Sequence, residues 1–277
     1  MDAAERQKPA PGELFVDHVS HFVADVDAAA RVVESMGLKV TPLSVQKTHE
    51  GPVGASNRCV MLEDGYIELL SPTHDTPAAQ RLRAQMARYN GVHLVCFGTP
   101  DADAEHRRLA AHGFESTLVE FERAVEGGMA RFKAVRVPPE KMPEGRIQYV
   151  QHLAPEHVWL RGFTNELRLD EVYVVASDPV AAAARWARFG GLIPVPEHDV
   201  VRLKTARGGI VIGSQDAIGT ILGKSAVAPG IAGYSLRCSH PRTMVERCKA
   251  AGVAVRKIGD RHAASLPDSV GGTLLFG

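Results

Sequence analysis

The chain contains an internal repeat, and each of the first two copies opens with a short apolar segment that carries a histidine. Residues 17–25 contain His18 and lead into an Ala-rich helical segment closed by Gly37, while residues 91–98 contain His93 and lead into one closed by Gly113. The spacing from histidine to glycine is 37 − 18 = 19 residues in one copy and 113 − 93 = 20 in the other. A repeated strand with one histidine suggests two ligands at equivalent positions.

The repeat unit reads as a strand, a helix and three further strands. The first copy shows strands at 14–23, 38–43, 57–62 and 66–70 around a helix at 28–36, with a loop at 49–54. A polar helix at 76–89 leads to the second copy, and further copies open near residues 169 and 233. The pattern predicts an α+β fold of four βαβββ modules: a first pair over 14–155, a connecting segment over 156–168 and a second pair over 169–277.

The overall composition points to a small-molecule partner. Of the 277 residues 45% are hydrophobic and 23% charged, and the 32 basic residues balance the 32 acidic ones. Such a balance provides no attraction to nucleic acid or to an anionic membrane. The polar N-terminus and the absence of a long apolar run predict a cytoplasmic protein. Either a monomer or a homodimer is expected. The four cysteines are widely spaced and are expected to be reduced packing residues.

One acid lies in an otherwise apolar strand. In the segment 66–70, Glu68 points to the face opposite Ile67 and Leu69, because successive side chains of a strand alternate in direction. A buried carboxylate needs a cation, a metal or a set of hydrogen-bond donors beside it. The alternative is an edge strand on which Glu68 faces water.

The repeat brings this acid together with the two histidines. A single histidine in an apolar strand is more often a core residue, but His18, His93 and Glu68 together match a two-histidine, one-carboxylate metal site. Glu68 precedes Pro72 by four residues and Gln151 precedes Pro155 by four, so Gln151 is predicted to be the partner of Glu68 in the second copy.

Several other polar residues are candidate substrate contacts. His49, Asn57 and Arg58 border the predicted loop over the open face, and an ordinary solvated loop explains them equally well. His152 points away from Gln151 in a regular strand, unless a bulge turns it. His21 is expected to face away from His18. In the second half Glu171, Ser235 and either Val211 or Ile212 occupy the equivalent positions, and they predict no ligand set there.

The repeat resembles the vicinal oxygen chelate superfamily, in particular its glyoxalase-like branch. The resemblance is carried by Asp17-His18-Val19, by Asn57-Arg58 followed by residues 65–70, by Gly91-Val92-His93 and by residues 149–152 running into 155–159. It implies that each pair of modules forms a cup-shaped sheet with a divalent metal ion (Zn, Ni, Fe, Mn or Co) between them. The implied metal ligands are His18, Glu68, His93 and Gln151.

The same resemblance implies a metal-dependent enzyme that acts on a small oxygen-bearing organic substrate. Gln151 stands where glyoxalase I relatives have a glutamate that moves protons, so lactoylglutathione isomerisation is not expected. Lewis-acid chemistry of the lyase or isomerase type is the leading hypothesis, with His49, Asn57, Arg58 and His152 as substrate contacts. An extradiol-type dioxygenase and a metal-free binding or resistance protein are the alternatives.

Overall fold

The chain has an α+β fold, as the sequence predicts. A computed structural model describes residues 7–48, 51–125, 127–160, 162–224 and 229–277. Within these ranges the α-helices are α1 (Val26–Ser35), α2 (Pro77–Met86), α3 (Ala102–Ala111), α4 (Pro179–Gly190), α5 (Gln215–Leu222) and α6 (Pro241–Ala250). None of these helices is long and apolar enough to cross a membrane.

The strands follow the order strand, helix, three strands through both halves of the chain. In the first half they are β1 (Phe15–Phe22), β2 (Ser44–Thr48), β3 (Gly51–Asp64), β4 (Tyr66–Pro72), β5 (Gly91–Gly98), β6 (Thr117–Val125), β7 (Gly128–Arg136) and β8 (Arg146–His152). In the second half they are β9 (Thr164–Val175), β10 (Pro194–Glu197), β11 (Val200–Lys204), β12 (Gly209–Gly213), β13 (Gly230–Cys238), β14 (Ala254–Ile258), β15 (Arg261–Ser265) and β16 (Thr273–Phe276).

The eight strands of the first half close into a ring, which we call the first barrel. Its order is β3-β2-β6-β7-β8-β5-β1-β4, and β4 pairs with β3 again. β1 and β5, the first strands of the two copies, are antiparallel neighbours. Each also pairs in parallel with the last strand of its own copy, β1 with β4 and β5 with β8. The contact between β2 and β6 joins Gln46 to Arg123 and Lys47 to Glu122, so a short ladder turns the expected cup into a closed barrel.

The second half forms an open sheet in the order β10-β11-β12-β9-β13-β16-β15-β14. β9 also pairs with β3, which joins this sheet to the first barrel. Helix α5 lies inside the second sheet, where Ile218 and Leu222 pack with Tyr173, Val211 and Leu275. Side chains therefore fill the inside of the second sheet.

Two predicted elements differ from the structure. Residues 38–43, predicted as a strand, have no ladder; Leu38 and Val40 are apolar because they pack into the main core cluster. β3 begins at Gly51 and so includes part of the predicted loop 49–54, whereas His49 lies outside the described residues.

The predicted connecting segment 156–168 is structured. Its last residues belong to β9, which pairs with β3. Trp159 is buried in the hydrophobic cluster inside the first barrel, where it contacts Tyr66 and His152 edge to face. The described part of the segment therefore packs against the interior of the first barrel rather than forming a free linker.

Candidate small-molecule site in the first barrel

The pairing of β1 with β5 shows which residues of the two copies are equivalent. His18 lies opposite Cys96 and Ser20 lies opposite Leu94. A twofold exchange of the two strands therefore maps His18 onto Leu94 and Ser20 onto Cys96. The helix-closing glycines agree, since 37 − 18 and 113 − 94 are both 19 residues.

His93 occupies a different kind of position from His18. On β5 the register shifts beside Leu94, so that His93 is the extra residue of a β-bulge, and on β1 the shift beside His18 makes Asp17 the extra residue. His93 is thus the counterpart of Asp17. Its ring stacks between Phe22 and Tyr89, and its Nε2 donates to the Tyr89 carbonyl at 2.8 Å.

The partner of Glu68 also needs correction. Glu68 pairs with Ser20 across the β1–β4 ladder, and Gln148 pairs with Cys96 across the β5–β8 ladder. Because Ser20 and Cys96 are equivalent, Gln148 is the counterpart of Glu68, and the anchor on Pro155 misplaced it by three residues. The Gln151 amide instead bonds the Pro100 carbonyl and the Ala102 backbone N–H at the start of α3.

Glu68 lies inside the first barrel with hydrogen-bond donors on both carboxylate oxygens. It is 6% exposed, its Oε2 accepts from the Ser20 hydroxyl, and its Oε1 accepts from Asn57 Nδ2. Asn57 Oδ1 in turn accepts from the buried Arg123 guanidinium at 2.9 Å. Ser20 and Asn57 therefore supply the hydrogen-bond donors that a buried Glu68 was predicted to need, and the hydrogen bonds continue from Asn57 to the Arg123 cation.

Asp17 connects two histidines in the same interior. Its Oδ1 lies 2.6 Å from His18 Nδ1 and its Oδ2 lies 2.9 Å from His152 Nε2, and the side chain is fully buried. Burial disfavours the charged carboxylate, but the two histidines outweigh that cost and hold the pKa of Asp17 well below its usual value.

The same contacts act on His18. Burial disfavours the charged imidazole, yet the Cys96 sulphur and the Asp17 carboxylate raise the pKa of His18 well above its usual value. The His18 ring also stacks on Tyr66, with centroids 4.2 Å apart. The His18 ring is consequently fixed, with its Nδ1 directed at the Asp17 carboxylate and its face against Tyr66.

The remaining predicted contacts divide between the interior and the outside. Asn57 and His152 lie inside the barrel, and no bulge is needed for His152, because it shares a face with Gln148 and Val150 by regular alternation. Arg58 points away from the interior and pairs with Asp27 of α1 at 2.9 Å. His21 faces away from His18, as predicted, and bonds Val270 and Tyr234 of the second half.

A small polar cavity lies between these groups, and a larger cleft opens beside it. The cavity has a volume of about 40 Å³, enough for a few water molecules, and the cleft between α2 and strands β6–β8 has about 600 Å³. Leu70, Arg136 and Arg146 line both spaces and so form a neck between them.

The cavity wall does not fit the expected metal centre. The twofold relation pairs His18 with Leu94 and Glu68 with Gln148. His18 and Glu68 are strong metal ligands, Gln148 offers only a neutral amide oxygen, and Leu94 has no ligand atom. Three arginines and one glutamate line the cavity, and such an excess of positive charge opposes a divalent cation. In the described part of the chain no three His, Cys, Asp or Glu side chains come close enough to hold a metal ion.

The sequence reasoning overlooked several residues of this wall. Arg123, Arg136, Arg146 and Gln148 were not singled out, and Asp17 was used only as part of a motif. Arg146 and Gln148 alternate with apolar residues in the segment 146–152. The distance from Leu94 to Gly113 is 19 residues, the same as from His18 to Gly37, and this match would have shown how the strand of Leu94 aligns with that of His18. No local pattern marks Arg123 or Arg136, because β6 and β7 are rich in charge on both faces.

Comparison with known proteins agrees with this architecture. Residues 16–190 match the model of the glyoxalase-like domain family. The chain belongs to this family. The match spans both copies of the first barrel and continues through α4, and it confirms the resemblance read from the sequence. No curated protein matches the chain significantly.

Solved structures with the same fold cover nearly the whole chain. A hypothetical protein from Staphylococcus aureus has a TM-score of 0.67 at 14% identity, over 95% of this chain and 99% of its own. A mutant 4-hydroxymandelate synthase from Streptomyces coelicolor has 0.60 at 15%, over 96% and 93%. The Mn(II)-bound glyoxalase from Novosphingobium aromaticivorans has 0.59 at 10%, over 95% and 81%. At these identities the likeness concerns the fold.

Proposed function

We propose that the first barrel binds a small oxygen-bearing organic molecule and that His18 exchanges a proton with it. The observation that carries the proposal is the Asp17–His18 pair, 2.6 Å apart, in which His18 lines a small polar cavity that shares Leu70, Arg136 and Arg146 with a larger cleft. A general acid needs a fixed orientation and a substrate position within hydrogen-bond reach, and Asp17 and Tyr66 supply the first requirement.

The other cavity groups suit an oxygen-bearing ligand. The Gln148 Oε1 atom is buried and accepts no hydrogen bond from the described residues, so a ligand hydroxyl can donate to it. Glu68 is fixed by Ser20 and Asn57 on the same wall. The barrel thereby presents a donor at His18 and acceptors at Glu68 and Gln148, an arrangement that suits proton transfer beside a carbonyl.

The proposal is tested by NMR on protein labelled at histidine. A panel of small oxo- and hydroxy-acids and their neutral analogues is added, and a compound that enters the cavity should shift the ring signals of His18 but leave those of the exposed His198 unchanged. In D2O the proton next to the carbonyl of a true substrate should exchange, because Glu68 takes that proton while His18 donates one to the carbonyl oxygen, and both steps reverse with solvent deuterium. His18→Gln should abolish that exchange. Compounds that bind without shifting His18 contradict the proposal.

The competing hypothesis is that the same cavity binds a divalent ion, with His18, Glu68 and Gln148 as its ligands. Protein without an affinity tag is incubated with Zn, Ni, Fe, Mn or Co, dialysed and analysed for metal. The metal-independent proposal predicts far less than one ion per chain. A near-stoichiometric ion that is lost in both His18→Ala and Glu68→Ala would overturn it in favour of Lewis-acid chemistry.

A further inference from the structure

Two arginines lie at the neck between the cavity and the cleft, where Glu68 is the nearest acid but forms no ion pair with either of them. Arg136 lies at the end of β7 and Arg146 at the start of β8, and neither forms an ion pair with a carboxylate of the described residues. Arg136 Nε is buried and makes no hydrogen bond there. A guanidinium group with buried, unsatisfied donors is costly to keep, because charged groups in an interior are normally paired.

The surroundings of the neck add further positive charge. Arg81 of α2 and Arg88, just beyond its end, line the same cleft, and Arg88 donates to the backbone carbonyls of Pro143 and Pro229. Glu115 is the acid that lines the cleft, and Lys141 already pairs with it at 2.7 Å. Burial, together with Arg146 and Arg81, lowers the pKa of Arg136 to about 9, which reflects how poorly this charge is compensated.

The rest of the cleft is apolar. Its walls include Val53, Leu82, Val119, Met142 and Ile147. The inner cavity is too small for more than a compact polar group, whereas the cleft has room for an extended apolar body. A ligand that satisfies both regions places its charged head at the neck and its body in the cleft.

We propose that Arg136 and Arg146 bind the carboxylate or phosphate head of an organic anion whose apolar body lies in the cleft beneath α2. Guanidinium groups match the planar, bidentate geometry of these heads, which completes donors that the protein leaves unpaired. The head then lies beside the cavity that holds His18, Glu68 and Gln148. This inference rests on the proposed function, since it names the substrate class of the same site.

The test compares octanoate, octyl phosphate and the neutral octanol by isothermal titration calorimetry. The folded wild type should bind at least one of the two anions at least about tenfold more tightly than octanol. Arg136→Met and Arg146→Met should each weaken the binding of that anion about tenfold or more and leave the affinity for octanol unchanged. Arg131→Met provides the matched control, because Arg131 lies exposed on the same strand β7.

Thermal unfolding separates a binding role from a structural one. A guanidinium that is kept for a ligand costs stability in the free protein, so Arg136→Met should leave the melting temperature unchanged or raise it. A melting temperature lowered as much as by loss of a core residue would overturn the inference, as would anion affinities equal to that of octanol. Binding of octanol with no preference for anions refutes this inference alone, whereas no binding of any of the three also counts against the proposed function.

Discussion

At the scale of single residues, Asp17 organises the interior of the first barrel. It is the extra residue of a bulge on β1, and its carboxylate contacts both the adjacent His18 and His152, which lies 135 residues further along the chain. A carboxylate without these partners could not be buried at an acceptable cost. The pairing therefore fixes the orientation of His18 and ties β1 to the end of β8.

Replacing Asp17 by Asn should destabilise the protein strongly. The substitution keeps the shape but removes the buried carboxylate that contacts both His18 and His152, so we expect a loss of about 3 kcal/mol in the free energy of unfolding at pH 7. Urea denaturation measures this loss. Asp103→Asn, which removes the partner of Lys133 in a half-exposed ion pair, serves as the comparison and should have a much smaller effect. Equal effects of the two changes would contradict the role assigned to Asp17.

Residue-level reasoning from the sequence succeeded where simple alternation holds and failed where a bulge intervenes. Alternation correctly placed Glu68 opposite Ile67 and Leu69, with donors beside it. The bulges at Asp17 and His93 each insert one residue, and a shift of one residue moves a side chain to the other face of a strand. Proline anchoring at Pro155 failed for a similar reason, because a loop proline does not fix the register of the strand before it.

At the scale of elements, the two connecting helices explain why the halves differ. Helix α2 covers the mouth of the first barrel and leaves a cleft of about 600 Å³ beside β6–β8. Helix α5, which has the same place in the chain order of the second half, inserts Ile218 and Leu222 into the sheet and fills it. A site for a small molecule therefore remains beside α2.

The first turn of α2 depends on Thr76. Its hydroxyl accepts from the Ala79 backbone N–H and donates to the Val53 carbonyl at 2.8 Å, so it both caps the helix and ties it to β3. Thr76→Ala should cost about 1 kcal/mol of stability. Hydrogen exchange of the α2 amides should become faster by a matching factor.

Thr76→Ser is the control for this prediction, because it retains the hydroxyl and should restore most of the protection. If exchange accelerates equally in the Ser variant, the lost methyl group rather than the cap stabilises α2, and the assignment of the cap fails.

At the scale of the whole molecule, the buried His21 joins the two halves, and we expect His21 and His93 to make the fold sensitive to acid. His21 of β1 donates from Nδ1 to the Val270 carbonyl, and its Nε2 accepts from the Tyr234 hydroxyl, both at 3.1 Å. Burial is the main cause that lowers the pKa of His21 to about 4, and it does the same for His93. Both side chains are therefore neutral in the folded protein.

The direction of the pH dependence follows from these shifts. A histidine whose pKa is lowered by folding stabilises the native state above its ordinary pKa of about 6.5, and this stability is lost as the pH falls toward 4. His21 and His93 should each remove about 2 kcal/mol of the free energy of unfolding between pH 7 and pH 5. His18 acts in the opposite direction, since its raised pKa gives stability below 6.5 that is lost as the pH rises.

The variant His93→Phe tests this account, because phenylalanine keeps the stack between Phe22 and Tyr89 but cannot be protonated. Its free energy of unfolding should fall between pH 7 and pH 5 by about 2 kcal/mol less than that of the wild type. Urea denaturation at the two pH values gives the comparison. An unchanged slope would show that folding does not lower the pKa of His93.

The sequence by itself determined the class of the fold and the family, because strand and helix periodicity and the repeat spacing are local properties that survive any packing. It also placed His18, Asn57 and Glu68 on strands that do line one interior. Only the tertiary structure decided which residues meet, since bulges reset strand register and the unpaired arginines of β7 and β8 become meaningful only once an interior surrounds them. Long-range strand pairing and burial, which the local pattern does not encode, therefore place a cavity lined by positive charge where a metal centre was expected.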